Sequence, residues 1–171
     1  FNGKQCSYIK ATEDFENELY GYSYADQWDK ALRVTVVHEM YHAVQLRYAE
    51  MNLSNLFWFE ASASGMEEVA APDIDDYYAY LPSMFNLMGT SLDGMREQYG
   101  AGIFFLYLYN YVDKGFDKFI WEDFNKHPDL NFREHLNKLG KKKNISIDSV
   151  FHDFSKKLAF DPHEKFLPHF L

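Results

Sequence analysis

Val34-Thr35-Val36-Val37-His38-Glu39-Met40-Tyr41-His42-Ala43-Val44-Gln45 is the stretch from which both the fold and the chemistry are read. Its length and apolar flanks read as a buried helix. At 3.6 residues per turn, positions four apart lie about 40° apart around the axis, so His38 and His42 reach one point from the same face. Glu39 falls about 100° round from His38, beside that point and not on it. Two neutral imidazoles are costly to bury in so apolar a setting without partners, and a shared metal ion removes the difficulty. His-Glu-x-x-His on a helix is the arrangement in which two histidines hold zinc and the glutamate acts as general base. The alternative for these five residues taken alone is a pair of helical histidines, one hydrated and one satisfied in a core.

Working outward, Asp26 is a reasonable cap for this helix, which is expected to begin near Gln27 or Trp28 and run to about Met51. Asn52-Leu53-Ser54-Asn55 is turn-like and short, which favours antiparallel neighbours. A second helix is predicted from Leu56 to about Val69. In it Phe57-Trp58-Phe59 is followed at once by Glu60 and then by Ala61-Ser62-Ala63-Ser64-Gly65. A carboxylate between three aromatics and a run of small residues is badly placed unless something positive meets it. The small residues allow a neighbouring helix to approach closely. Glu60 lies 18 positions after His42, and a helix–turn–helix folds it back onto the histidine face. His38, His42 and Glu60 would then form a His₂Glu set with a fourth position open to water. The alternative for Glu60 is a partly buried salt bridge to Arg33 or Arg47. Glu67 shares the face of Glu60 and is a candidate to orient a ligand, but a solvated face is the plainer reading. Ser64 is a quieter candidate for the same task.

Beyond this pair, Pro72 to Tyr78 breaks the helical pattern and starts a short element. Leu81 to Gly94 reads as loop-rich and as a possible substrate-side lid. An apolar helix is predicted from Arg96 to about Asp113, stopped near Lys114-Gly115. Further helices are expected over Phe116–Lys126, over Phe132–Leu139 with Gly140 as its end, and over Ile147–Leu158 with Ser146 as cap. Glu13 to Tyr20 could form a short helix, and Lys4 to Lys10 is the one place for a strand or hairpin. The fold expected is mainly α, a compact helical bundle around the metal helices, with 1–171 as a single catalytic domain.

The chain has 171 residues, 47% of them hydrophobic and 19% aromatic, with 13 Tyr and 16 Phe. That length suits one well-buried domain, and the aromatic content implies thick ring packing. A net charge of −9 argues against nucleic acid as partner. Lys141-Lys142-Lys143 is the only basic run and fits the last turn of a helix. Cys6 is the only cysteine, which leaves no internal disulfide and no reading of the redox compartment. No apolar run is long enough for a membrane span and no signal peptide is visible. The chain opens on Phe1 and stops at Phe170-Leu171, and is read as a piece of a longer protein. Oligomeric state is not legible.

His38-Glu39-Met40-Tyr41-His42-Ala43-Val44-Gln45 followed by Phe57-Trp58-Phe59-Glu60-Ala61-Ser62-Ala63-Ser64-Gly65-Met66-Glu67 resembles the gluzincin metallopeptidases. It is similar to the aminopeptidase-N and leukotriene A4 hydrolase branch, and closer still to bacterial metalloprotease-like proteins with a His-Glu-x-x-His-Ala-Val-Gln helix. The resemblance covers roughly residues 20 to 125. It implies a zincin-like helical catalytic domain, zinc on His38, His42 and Glu60, Glu39 as base, a peptide or protein substrate, and a secreted or envelope location. In that branch a Tyr-x-x-Gly element opens a later apolar helix, and its tyrosine stabilises the tetrahedral intermediate. Tyr99-Gly100-Ala101-Gly102 is similar in pattern and place, which makes Tyr99 the candidate oxyanion donor, against one more packed tyrosine among thirteen.

Two departures weigh on the activity. The Gly-x-Met-Glu-Asn element that holds a free amino terminus in those aminopeptidases is absent, and the His42-to-Glu60 spacing is one residue shorter. Endopeptidase is therefore expected over exopeptidase. The rivals are a zinc hydrolase of non-peptide amides or esters, and a silent binding or envelope module with zinc as a staple. In the latter a protein group, with His127, His135, His152, His163 and His169 as sources, would fill the fourth position, although all five read as surface histidines.

Overall fold

The computed structural model describes residues 28–52, 55–86, 91–92 and 98–160. The expectations for Lys4–Lys10, Glu13–Tyr20 and Asp26, for Gly94 and the helix start at Arg96, and for His163 and His169 lie outside these residues. Within them the chain is mainly helical, with no strand. No described helix is long and apolar enough to cross a membrane.

Helix α1 spans Trp28–Gln45 and α2 spans Leu56–Ala70. Their connection is closed by asparagines: Asn52 N–H donates to Asn55 Oδ1 at 2.8 Å, and Asn55 Nδ2 to the Glu50 carbonyl at 2.9 Å. Side chains that bond neighbouring backbone compete with the helix, and α1 ends at Gln45 instead of running on to Met51. The pairing across α1 and α2 is antiparallel, since Gln45 meets Phe59 and Ser62 while His38 meets Glu67.

Helix α2 is the central element because it is buried nearly all round. Phe57, Trp58, Phe59 and every residue from Ala61 to Gly65 are buried. Trp58 stacks on Phe132 at 4.2 Å, and Phe59 meets Trp121 edge-on at 4.8 Å. Full burial of such side chains stabilises the fold by roughly 1.5–3 kcal/mol each. The next elements are a 3₁₀ turn at Asp76–Ala79, helix α3 (Leu81–Asn86), and a second 3₁₀ turn at Tyr99–Ala101. Leu81–Asn86 is thus helical where a loop-rich segment is predicted. The second 3₁₀ turn leads into α4 (Gly102–Tyr107), which continues as a π-helical turn over Leu108–Val112. Here the small residues of α2 are used. A Cβ on Gly65 would stand 2.3 Å from the Phe105 ring, and one on Gly102 would stand 3.1 Å from the Gly65 backbone nitrogen. Helices α2 and α4 therefore cross close together, with one ring filling the space that a side chain would need.

The remaining helices close the core: α5 (Phe116–Lys126), α6 (Phe132–Lys143) and α7 (Ile147–Phe160). Asn131 and Glu134 cap α6 reciprocally, at 3.0 and 2.8 Å. Gly140 does not end α6, contrary to the sequence reading. The helix runs to Lys143 and is closed by Asn144 in the left-handed region at φ 57°, with Ile145 N–H bonded to the Gly140 carbonyl at 2.8 Å. Gly140 is needed for approach: a Cβ there would stand 2.6 Å from the Ile145 carbonyl oxygen. His135 is also corrected. It is completely buried, with Nδ1 at 2.6 Å from Asp123 Oδ2, while His127 and His152 are exposed.

Gly65→Ala is expected to destabilise the protein by about 1–3 kcal/mol through the clash with Phe105. Urea unfolding beside the double variant Gly65→Ala/Phe105→Leu checks this, and the smaller side chain should recover part of the loss.

Candidate metal centre

His38 and His42 project from α1 toward α2, their rings 4.5 Å apart and nearly perpendicular. Each ring is held at Nδ1. The Nδ1 of His38 lies 2.5 Å from Glu67 Oε1, and that of His42 lies 2.6 Å from Gln45 Oε1. The Gln45 amide is itself oriented, because its Nε2 donates to the Phe59 carbonyl at 2.9 Å and to Ser62 Oγ at 2.9 Å. A carbonyl accepts and never donates, so the oxygen of Gln45 must face His42. The His42 proton then sits on Nδ1, and its Nε2 carries a lone pair. A carboxylate on Nδ1 selects the same tautomer for a neutral His38.

Both Nε2 atoms converge on one oxygen of Glu60. Glu60 Oε2 is 3.3 Å from His38 Nε2 and 3.6 Å from His42 Nε2. These separations differ in kind from those at Nδ1. Charge-assisted N–H···O bonds close to about 2.7–2.9 Å. Ligand atoms about 2.0–2.1 Å from a tetrahedral zinc stand about 3.3 Å from one another. The Nδ1 contacts are short hydrogen bonds, whereas the Nε2 contacts are longer and match the spacing of donors around a shared ion. In the ion-free site the contact from a protonated His38 is a 3.3 Å hydrogen bond. The donor chemistry, two imidazole nitrogens and a carboxylate oxygen, suits zinc. Among the described residues these three form the one group of three or more His, Cys, Asp or Glu donors within mutual reach of a metal, at up to 4.8 Å. Among the described residues no fourth such donor stands beside them.

The predicted site residues divide as follows. His38, His42 and Glu60 are brought together, and Arg33, the rival partner for Glu60, pairs with Asp73 at 2.9 Å. Tyr99 is also at the site: its ring is 5.7 Å from that of His38 and stacks on Tyr80 at 5.1 Å. Its outer edge is exposed, while its hydroxyl lies against the Glu60 carboxylate. Burial and then the charge of Glu60 push the phenol up to about 12, so it keeps its proton and remains a donor. Glu39 is exposed, and its charge reaches Tyr99. Glu67 is buried against His38 and does not lie on a solvated face. Ser64 is buried, but its Oγ bonds none of the site residues.

Gln45 was not singled out from sequence, though it closes the motif. Its signal is a buried amide one turn after a helical histidine. Tyr41, between the two histidines, donates to Asp117 of α5 and fixes α1 from its other side. Burial pushes Asp117 up to about 8, against the pull of the nearby Trp121 indole.

The charges in the ion-free site are strongly biased. Burial works to lower His38, but the carboxylates of Glu60 and Glu67 outweigh it and raise it to about 9. Glu60 is driven the other way. Burial favours its neutral form, yet His38 and His42 hold it down at about 2. Glu67 is raised to about 7 by burial, with His38 opposing and Asp76 assisting.

Comparisons with profiles of known protein families, with curated proteins and with solved structures returned no match.

A raised histidine pKa has a defined linkage sign. The stability that His38 contributes is complete below pH 6.5 and is lost as pH rises through about 9. Zinc-free protein should show an imidazole titrating near 9 by NMR, and its stability should fall from pH 6.5 to 9 in a way that His38→Asn flattens.

Proposed function

We propose that this chain is a zinc-dependent peptidase of the gluzincin type, cleaving within peptide chains. The observation that carries the reading is the difference between the two sides of each imidazole. Both Nδ1 atoms are closed by hydrogen bonds, and both Nε2 atoms are left at ligand spacing around Glu60 Oε2. Among the described residues the donors number three, which supports a catalytic centre over a structural staple, since structural zinc sites use four protein ligands and catalytic ones three.

His38, His42 and Glu60 would hold the ion. Zinc held there would lower the pKa of a bound water to roughly 7 and polarise a carbonyl. Glu39, next to His38 and exposed to the solvent side, takes the proton released as water attacks the scissile carbonyl. It then delivers that proton to the leaving amine. Tyr99 donates its phenolic hydrogen to the developing oxyanion, a charge that exists only in the transition state. Glu67 and Gln45 keep the two imidazoles in the tautomer that leaves Nε2 free. The lack of a Gly-x-Met-Glu-Asn element favours internal cleavage over removal of amino-terminal residues.

Glu39→Gln is expected to lower hydrolysis of a broad peptide library by about 10²–10⁴ while keeping one equivalent of zinc. Full activity in that variant would overturn the assignment of the base. Glu60→Ala should lose the zinc itself, as judged by elemental mass spectrometry. Glu67→Gln and Gln45→Leu should each weaken zinc binding by roughly 10–100-fold, as measured by competition with a chromogenic chelator.

A further inference from the structure

The phenol assigned to the oxyanion is carried by a short turn and not by the body of a long helix. Tyr99 opens the 3₁₀ turn Tyr99–Ala101, and it is 38% exposed, so burial alone does not fix its ring. Rotation about its Cα–Cβ bond to another staggered position would swing the hydroxyl clear of the centre. Two neighbouring rings set its place. The His38 imidazole lies 5.7 Å away at a tilt of 38°, and the Tyr80 ring is stacked on it at 5.1 Å and 25°.

Tyr80 is itself held through its backbone. Its N–H donates to the Tyr77 carbonyl at 3.1 Å, and its own carbonyl accepts from Met84 N–H at 3.1 Å. It thus joins the 3₁₀ turn Asp76–Ala79 to α3 with both backbone groups bonded. The turn that carries Tyr99 lies directly on this junction. A Cβ on Gly100 would stand 2.7 Å from Met84 Cβ and 3.2 Å from the Tyr80 carbonyl oxygen. Glycine at this position lets the two segments close, and the closure brings the Tyr99 ring onto that of Tyr80. Met84 is buried beneath the contact, while both phenol rings are part-exposed.

We propose, building on the reading of Tyr99 as oxyanion donor, that Tyr80 is a positioning residue whose ring keeps the Tyr99 hydroxyl directed at the metal centre. An oxyanion bond needs its donor within about 2.7–3.1 Å, and a misplacement of about 1 Å costs up to about 10²-fold in rate. Tyr80 acts through the flat face of its ring. Phenylalanine therefore serves in its place, and an aliphatic side chain does not.

Zinc-saturated protein gives two readouts. The first is NMR of ring-labelled tyrosine, with the Tyr99 signals identified by their loss in Tyr99→Phe. The ring current of Tyr80 displaces these signals, and the displacement should persist in Tyr80→Phe and collapse in Tyr80→Leu and Tyr80→Ala. The second is steady-state hydrolysis of the best-cleaved member of a peptide library. Tyr80→Leu should lower kcat by about 3–10-fold with KM nearly unchanged, and Tyr80→Phe should keep the wild-type rate. In a Tyr99→Phe background Tyr80→Leu should have no further effect, because the hydroxyl it directs is gone. Tyr99 signals that stay in place in Tyr80→Leu and Tyr80→Ala overturn the proposal. So does an equal loss of kcat from Tyr80→Leu in both backgrounds, and so does Tyr80→Phe as slow as Tyr80→Leu. A wild type that cleaves no peptide overturns the peptidase reading instead, and the Tyr99 signals then decide alone whether Tyr80 holds the phenol.

Discussion

Two imidazoles pinned at Nδ1 are the constraint on which the rest of the site depends. A histidine on a helix can rotate, and its two nitrogens compete for whatever is near. Glu67 and Gln45 remove that freedom for His38 and His42, and the Phe59 carbonyl removes it in turn for Gln45. Once the Nδ1 sides are closed, the two Nε2 atoms have one direction left, and Glu60 Oε2 stands in it. Each partner comes from α2 or from the last residue of α1. The antiparallel pairing of these two helices is therefore what the centre requires of the fold.

That pairing is held from several sides. α2 is sheathed in aromatic rings at one end, and at the other its small residues let α4 cross at near-contact distance. The same crossing sets Gly102 against α2, three residues after Tyr99, and so delivers the phenol to Glu60. Tyr41 reaches to Asp117 and fastens α1 to α5 between the two histidines. A loss of packing at Gly65 or Asp117 would thus reach the centre without touching a ligand.

The parts legible in sequence were those with short reach. The spacing of His38 and His42, the short turn at Asn52–Asn55 and the awkward setting of Glu60 fix their convergence through local geometry. Helix α5 is likewise found where its sequence pattern places it. Glu67 shows why burial is harder to read. Its register with Glu60 was visible, but a glutamate next to another glutamate reads as solvated unless one knows that α2 is enclosed nearly all round. His135 reads as a surface residue for a related reason, since its partner Asp123 lies 12 positions earlier on another helix. A glycine near a helix end signals a stop, whereas Gly140 makes room for the returning chain at Ile145. Tyr99 was placed by resemblance alone. No local rule joins it to residues some 40 positions earlier.

Zinc K-edge X-ray absorption on the purified protein tests the central claim most directly, because it reads the donor set without reference to substrate. The expected spectrum has a four-coordinate shell of nitrogen and oxygen at about 2.0–2.1 Å with multiple scattering from two imidazoles. A sulfur shell at about 2.3 Å, or zinc surrounded by oxygen with no imidazole signature, would contradict the account.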